Sequence, residues 1–542
     1  MMKLPLHSRR LRRAARSHFG WRSLRPGQLA AMRALMKRRD ALVVLPTGAG
    51  KSAVYQVPAL LLPGPTVVIS PLLALQEDQI AALNDRGIGA VRISSAETPQ
   101  QRTAALAAVR GGTARFLFIT PEQLAGADRL AEVKALRPAL VAVDEAHCIS
   151  AWGYDFRPDY LALGHYLRGL GRPPVVALTA TASPPVRDDI VARLGLRDPR
   201  VVIAGLDRPN LFLEAVHCPD EDYRWRRLLA VLSGSSGPGI VYVPTRRAVE
   251  DLVERLAAAG HPAVGYHAGM PKGQRAERHE DFLADRAPLM VATSAFGMGI
   301  DKPNIRFVVH LALPDSPDSY LQEIGRAGRD GAPAEALLLY RAEDISLQRF
   351  FTGGLPDSGE LRDLAAVLGS GAFTRTELRS RTGLGDRKLG RLISLLEQVD
   401  AAVPLPDNRI ARPPYAPAPA RAATEALREA ERQQAVQRTR TDMMRHFAES
   451  RECRGQMLLA YFGEHMPRPC RHCDNCHDGT VAAAPVSGPF PLHSTVRHAE
   501  WGTGLVLRYE ADRMTVLFDD VGYKTLSVPV VQEQRLLVLE GA

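Results

Sequence analysis

Ala41-Leu-Val-Val-Leu45-Pro46-Thr47-Gly48-Ala49-Gly50-Lys51-Ser52 joins a continuous apolar run to a glycine-rich turn that opens a helix near Lys51. A strand with one wet face would alternate apolar and polar residues. This run does not alternate, which fits a strand of a parallel sheet covered on both faces. The glycines at 48 and 50 let the backbone curl, so that its N–H groups face phosphate oxygens. Lys51 adds a point charge, and the Ser52 hydroxyl is a candidate Mg²⁺ ligand. The strict phosphate-loop pattern has glycine where this chain has Leu45, and a turn of this kind by itself is equally compatible with a structural role.

Working outward, Thr66–Ile69, Phe116–Ile119, Leu140–Val143 and Val175–Leu178 repeat the same apolar pattern, with helix-length segments between them. Gly239–Val243, Leu289–Ala292 and Phe307–His310 form a second series. The break lies near Gly205–Pro209, so two α/β domains are expected, with catalysis between them. Asp144-Glu-Ala-His147 follows Leu140–Val143, at the strand end where α/β ligands bind. Asp144 is expected to hold Mg²⁺, and Glu145 to orient or deprotonate an attacking water. Four such residues can arise by chance at a helix start, but their separation from Lys51 makes chance the minor reading. Gln322-Glu-Ile-Gly-Arg326-Ala-Gly-Arg329 sets two arginines three apart on a helical turn, where they could reach a γ-phosphate or serve as an ordinary surface salt-bridge helix.

After Phe351 the character changes. Phe373 to Val403 reads as a helix-turn-helix: Thr374 or Thr376 caps one helix, Gly383-Leu-Gly385 turns and Asp386 caps the next. Leu389, Leu392, Ile393, Leu396 and Val399 share one face and leave Arg387, Lys388 and Arg391 outside. A structural module with a solvated basic face and a DNA-contacting module are equally compatible with this pattern. Pro413–Pro419 reads as a linker and Thr424–Glu449 as one long charged helix. A second linker, Val481–Pro491, precedes short strands punctuated by glycine.

The 542 residues are 46% apolar and 24% charged, an ordinary globular composition that predicts about three to five domains. Sixty-nine Lys plus Arg against 59 Asp plus Glu leave +10, which mildly favours a polyanionic partner. No apolar run approaches the ~18 residues of a membrane span, and the basic stretch Met1–Arg16 has no hydrophobic core after it, so a membrane or secreted protein is not expected. Four of the six cysteines crowd into positions 453, 470, 473 and 476 while Cys148 and Cys218 stand alone, a pattern of a metal clip in a reducing compartment rather than of disulfides.

These pieces, in this order, resemble the RecQ family of superfamily-two DNA helicases. Phe19-Gly-Trp-Arg-Ser-Leu-Arg25-Pro-Gly-Gln28 is similar to the family's leading motif, which implies that Gln28 reads the adenine edge with Phe19 and Arg25 beside it. Asp144-Glu-Ala-His-Cys-Ile-Ser-Ala-Trp-Gly-Tyr-Asp-Phe-Arg-Pro-Asp-Tyr160 runs the carboxylates into an aromatic-rich loop. By resemblance that loop senses single-stranded DNA and couples it to hydrolysis through His147, Trp152, Phe156 and Arg157. Ser70-Pro-Leu-Leu-Ala-Leu-Gln-Glu-Asp-Gln79, Thr179-Ala-Thr181, Tyr266–Met270 and Val291–Asn304 extend the likeness over residues 19–331 and imply DNA contact or coupling for Ser70, Thr179 and Thr181, and a nucleotide role for Asp301. Asp301 and Ile324 stand where the family pattern has Asn and Thr.

The resemblance further implies that Arg326 and Arg329 complete the ATP site with Gln322, and that Cys453, Cys470, Cys473 and Cys476 bind Zn²⁺. His472 and His477 are alternative ligands, but four sulfurs are the expected set. The chain departs from the family in carrying residues 353–425 between the core and the zinc helices, and in having only a linker where a winged helix often follows. Val403–Ala411 is a candidate replacement wing. Val496–Val506, Met514–Phe518 and Gly522–Leu526 resemble the small Tudor-like barrel of UvrD/PcrA-type helicases, in which it contacts RNA polymerase or DNA.

The expected fold is α/β, with two tandem RecA-like parallel-sheet domains (1–205 and 206–352), a winged-helix-like insertion (353–425), a zinc-binding helical subdomain (426–480), a linker (481–492) and an SH3/Tudor-like β-barrel (493–542). The expected activity is ATP- and Mg²⁺-dependent 3′→5′ translocation on single-stranded and forked DNA, in the cytoplasm and at the nucleoid, serving repair or recombination. An RNA helicase, a translocase without unwinding and an annealing scaffold are the alternatives. A protein partner, RNA polymerase or a repair factor, is expected at the barrel.

Overall fold

A computed structural model describes residues 6–71, 73–124, 126–150, 160, 162–203, 205–297, 302–344, 346, 354–405, 409–464, 466–479, 481, 488–492, 494–510, 512–518 and 521–540. The chain divides into two compact units, Met1–Ala204 with Gly354–Gln433 and Gly205–Gly353 with Gln434–Ala542.

In the first unit, β1 (Ala41–Val44), β2 (Thr66–Ile69), β3 (Ala90–Ile93), β4 (Phe116–Ile119), β5 (Leu140–Val143), β6 (Val175–Thr179) and β7 (Arg200–Ile203) form one parallel sheet ordered β3-β4-β2-β5-β6-β1-β7. Leu42, Val44, Val67 and Ile69 enter one core, whereas Ala41, Val43 and Val68 enter the other. This is the two-sided burial that the unbroken apolar runs predict. The sheet order sets β6 between β1 and β5, with Val44 level with Thr179 and Val143 level with Ala177. The loops after three adjacent strands therefore leave one edge of the sheet within about 10 Å of each other.

The second unit holds β8 (Leu211–His217), β9 (Gly239–Tyr242), β10 (Val264–Tyr266), β11 (Leu289–Ala292), β12 (Phe307–His310) and β13 (Ala334–Tyr340), again all parallel, ordered β10-β11-β9-β12-β13-β8. Strands β3, β7, β8 and β10, which the apolar-run reading does not include, are the four sheet edges. Their mixed patterns, such as Arg200 and Val201 exposed on β7, reflect burial on fewer sides.

Residues 358–411 run helix Ser358–Leu368, β14 (Phe373–Thr374), helices Arg375–Thr382 and Asp386–Gln398, then β15 (Val403–Pro404) and β16 (Arg409–Ala411), with β16 paired antiparallel to both other strands. That is the element order of a winged helix. Thr374 caps its helix through a capping box with Glu377, and Gly383 closes it at φ 69. The expected cap Asp386 is instead the first helical residue. Extended Gly385 takes the cap position, and Asp386 pairs with Arg379 at 2.9 Å. Leu389, Leu392, Ile393 and Leu396 are buried, and Arg387, Lys388 and Arg391 are exposed, as their spacing requires. The long helix begins earlier than expected and spans Pro419–Glu449.

In the second unit, β17 (Thr495–His498), β18 (Gly502–Glu510), β19 (Arg513–Phe518), β20 (Gly522–Ser527) and β21 (Leu537–Leu539) form an antiparallel sheet ordered β20-β19-β18-β17-β21 around Val496, Met514, Val516 and Phe518. Among the described residues no β20–β21 pairing closes it. The sheet is docked rather than trailing on its linker. Gly522, at φ 73, approaches the long helix so closely that a Cβ would lie 2.5 Å from Thr439 Oγ1. The Tyr523 N–H donates to that hydroxyl, and the Tyr523 ring stacks on Tyr461, whose hydroxyl bonds the buried Asp318 carboxylate. No helix among the described residues is long and apolar enough to cross a membrane.

Candidate functional site

The turn after β1 is built by two glycines in the left-handed region, Gly48 at φ 78 and Gly50 at φ 76. Leu45, where the strict pattern has glycine, lies outside that region and packs in the core at 3% exposure, so no glycine is needed there. The Lys51 ammonium folds back to donate to the Leu45 carbonyl at 3.3 Å. Gln28 ties the preceding motif to the loop: its Oε1 accepts from the Arg25 N–H at 3.0 Å, and its Nε2 donates to Ala49 O at 2.9 Å and Gly50 O at 3.1 Å. A Cβ at residue 50 would sit 2.7 Å from that amide nitrogen. The structure thus gives Gln28 a second task, holding the loop's shape, beside the adenine contact implied by resemblance. Phe19 stacks on Trp21 at 4.4 Å just before it. Thr47 lies within the turn and Ser52 ends it. Gln28→Ala is expected to raise the KM for ATP about tenfold with a smaller effect on kcat, as two loop hydrogen bonds are lost. Steady-state ATPase titrations check this, and an unchanged KM would count against it.

Asp144 leaves β5, two strands from β1, and is 5% exposed, with its N–H donating to Ile69 O at 2.8 Å. Burial and the adjacent Glu145 push its carboxyl up to about 6, opposed by the Lys51 charge and a hydrogen bond to Gln79. Two crowded, desolvated carboxylates facing a lysine make a hard-oxygen site that a divalent cation would relieve, so the residues fit Mg²⁺. Glu145 itself is left-handed at φ 47, a strained conformation of the sort found at functional sites. Sequence reasoning missed Tyr55 and, although Gln79 ends the Ser70–Gln79 motif, gave it no role. The Tyr55 hydroxyl bonds Gln79, lies beside Ser52 and feels the Asp144 charge, joining the loop to the carboxylate. The signal was the i,i+3 spacing of Gln76 and Gln79 on helix Leu73–Asn84. Gln76 is fully buried and donates to Ser70 O at 2.8 Å.

Behind the carboxylates a relay crosses to β6. His147, 1% exposed, lies with Nδ1 2.9 Å from Thr179 Oγ1 and 3.4 Å from Glu145 Oε2. The Thr179 hydroxyl also lies 2.8 Å from Thr181 O and accepts from the Thr181 N–H at 3.3 Å, tying His147 to the turn after β6. Tyr160 OH donates to Asp144 O at 3.1 Å, returning from the aromatic loop to the carboxylate strand. Ser70, His147, Thr179 and Thr181 are all buried, which suits internal coupling better than surface contact. Trp152, Phe156, Arg157 and Asp301 lie outside the described residues.

In the second unit, Gln322 is on helix Pro317–Ile324, capped by Ser316. The expected helical turn carrying both arginines is not formed. The helix stops at Ile324, and Arg326 and Arg329 follow on successive turns, with Gly328 at φ 58. The glycines at 325 and 328 weaken helix continuation. Arg326 is 2% exposed and bonds the Tyr242 hydroxyl, which donates to Phe296 O at 2.8 Å. Arg329 is half-buried.

Cys453, Cys470, Cys473 and Cys476 are unpaired as disulfides, and their sulfurs lie within 4.8 Å of one another, with Cys470 and Cys476 Sγ 3.9 Å apart. Tetrahedral Zn–S bonds of about 2.3 Å place sulfurs about 3.8 Å apart, so the cluster fits Zn²⁺. The alternative histidines are otherwise placed: His472 faces Leu211 O at 3.0 Å and Asp207 at 3.3 Å, and His477 is exposed. Gly455, also missed, is required, since a Cβ there would meet Cys470 Cβ at 2.7 Å. The knuckle docks on edge strand β8, with Leu213 N–H donating to His472 O at 3.0 Å and Ala215 N–H to Asp474 at 3.0 Å. Arg454 forks onto the same Asp474 at 2.6 and 2.8 Å.

Family models match residues 25–190 (DEAD/DEAH box helicase), 224–331 (helicase conserved C-terminal domain) and 420–477 (RecQ zinc-binding). The ATP-dependent DNA helicase RecQ of Pasteurella multocida is 36% identical over 85% of this chain and 61% of that protein. The probable ATP-dependent DNA helicase RecS of Bacillus subtilis is 36% identical over 72% of this chain and 80% of that protein. The chain spans only 56–65% of the RecQ relatives from Bacillus subtilis, Pasteurella multocida and Haemophilus influenzae. A solved structure, the DUF1998 helicase MrfA bound to DNA, shares the fold at TM-score 0.50 and 18% identity, over 76% of this chain and 60% of that one. With its two parallel-sheet cores, its nucleotide loop, its four-cysteine cluster and a 36% identical relative covered over four fifths of its length, this chain belongs to the RecQ family of ATP-dependent DNA helicases.

Proposed function

We propose that the protein hydrolyses ATP to translocate 3′→5′ on single-stranded DNA and to unwind forked duplex. The observation that carries this reading is the meeting of the Lys51 loop, Asp144 and the His147–Thr179 relay at the ends of β1, β5 and β6. Lys51 and the loop N–H groups bind the phosphates, Ser52 and Asp144 hold Mg²⁺, and Glu145 orients the attacking water. Bound Mg²⁺ supplies charge neutralisation at the transferring phosphoryl group. Glu145 lies 3.4 Å from His147 of the His147–Thr179 pair, and Tyr160 holds the Asp144 carbonyl, so a rearrangement of the DNA-sensing segment that moved Tyr160 would be felt at the carboxylates. Trp152, Phe156 and Arg157 are assigned to DNA, Asp301 and Phe19 to the nucleotide, and Arg326, Arg329 and Gln322 to the γ-phosphate.

The winged-helix-like module at 358–411, with exposed Arg387, Lys388 and Arg391, is assigned to duplex separation in place of the wing that elsewhere follows the zinc site. The C-terminal sheet is read as a Tudor-like barrel offering a face to RNA polymerase or a repair factor. The cytoplasm and nucleoid are the proposed location. Strand displacement on matched duplexes with a 3′ or a 5′ tail, with ATPase followed in the same samples, tests the motor. Unwinding of the 3′-tailed duplex alone is expected. DNA-stimulated hydrolysis without displacement would leave a translocase, and stimulation by RNA over DNA would replace the substrate.

A further inference from the structure

The positive charge of this protein is concentrated at one place. Residues 1–39 contain twelve Lys or Arg and no Asp or Glu, a formal +12 against +10 for the whole chain, so everything after Arg39 is nearly neutral. Five of these, Arg9, Arg10, Arg12, Arg13 and Arg16, lie on helix Leu6–Phe19, and all five are exposed. None of the five has an ion-pair partner among the described residues. The opposite face of the helix is fixed, since Leu11, Ala14, Ala15 and Phe19 are buried in one core with Met32, Leu35 and Val43. Arg9, Arg12, Arg13 and Arg16 fall at i, i+3, i+4 and i+7, a row about 10 Å long. Like charges at these spacings repel one another within the helix, and a polyanion laid along the row relieves that repulsion.

We infer that this face is a docking surface for the sugar–phosphate backbone of duplex DNA, adding sequence-independent affinity to the first unit. This inference rests on the helicase reading above. An anionic membrane fits less well, because the apolar face that would enter the lipid is already committed to the protein core. A single strand also fits less well. Such sites pair charge with exposed stacking rings, whereas Phe19 is buried and stacked on the half-buried Trp21.

The test uses the full chain with all five arginines changed to glutamine, and a second variant with all five changed to lysine. Fluorescence anisotropy follows a blunt duplex and an oligothymidine strand over a salt series. The glutamine variant is expected to flatten the duplex plot of log K against log salt by about 3 to 4. Its duplex binding should weaken at least tenfold at low salt, its single-strand binding should stay within about twofold, and the lysine variant should restore the slope. Thermal unfolding and DNA-independent ATPase report integrity. If the fivefold variant lacks a thermal transition, Arg12→Gln with Arg16→Gln decides, with an expected slope change of about 2. An unchanged duplex slope, an equal loss on the single strand, or a lysine variant that behaves as the glutamine one overturns the inference. So does wild-type binding to phosphatidylserine vesicles with no duplex effect. A wild type neither bound nor stimulated by DNA fails the helicase reading itself. A wild type stimulated by DNA beside an unaltered glutamine variant fails only this surface.

Discussion

Lys51→Ala is expected to lower DNA-stimulated ATP turnover by roughly 10²–10³-fold while leaving DNA binding and the thermal transition in place. The expected loss is large because Lys51 is the cation of the turn itself: its ammonium lies against the Leu45 carbonyl, and its charge opposes the upward push on Asp144. Removing it takes a preorganised positive charge from the developing phosphoryl charge. It also raises the Asp144 carboxyl further, because burial and the Glu145 charge are then opposed only by hydrogen bonds from the Glu145 N–H and Gln79, so the site is less ready for a divalent cation. Single-turnover hydrolysis with and without a DNA strand, alongside anisotropy on the same strand, makes the measurement. Turnover within tenfold of wild type would take Lys51 out of the reaction.

Removing the zinc site has the second large effect, on the fold rather than the chemistry. Cys473→Ser, or chelation of the wild type, should release one zinc per chain and unfold residues 450–479, given that structural zinc is worth about 10–16 kcal/mol in small metal-folded peptides. Cys473 is fully buried and sits in the bridge to Leu213 on β8, so losing the knuckle also bares a sheet edge. Arg454 and Asp474, which pair with one another and with the β8 backbone, would lose their shared frame. Metal content by atomic spectroscopy, limited proteolysis and concentration-dependent light scattering check the outcome. A metal-free variant with wild-type protease resistance would mean that the four sulfurs are a hydrogen-bonded cluster and no more.

Much of this was legible in the chain. The interior strands β1, β2, β4, β5, β6, β9, β11 and β12 announce themselves because a strand buried on both faces is built almost entirely of apolar residues, and their loops carry the chemistry at known ends. The edge strands do not, because they are covered on fewer sides and their patterns are mixed. Strand β13 hides for another reason. Ala334-Glu-Ala-Leu-Leu-Leu-Tyr340 is made of helix-favouring residues, and only its place between β12 and β8 makes it a strand.

Side-chain roles divide in the same way. Lys51, Asp144 and the four cysteines were readable because their chemistry depends on residue type and local spacing. The work of Tyr55, Gln79 and Gly455, the seating of the C-terminal sheet on Thr439 and Tyr461, and the exclusion of His472 from the metal depend on what lies across the fold. Even Gln28, whose motif was plain, turned out to brace the loop it serves. By itself the sequence determined which groups could bind phosphate and zinc, since backbone curl, charge and thiolate are local properties. Only the tertiary structure decided which buried polar groups hold them in place, because a donor finds its acceptor through strand order and packing, and those join residues far apart in the chain.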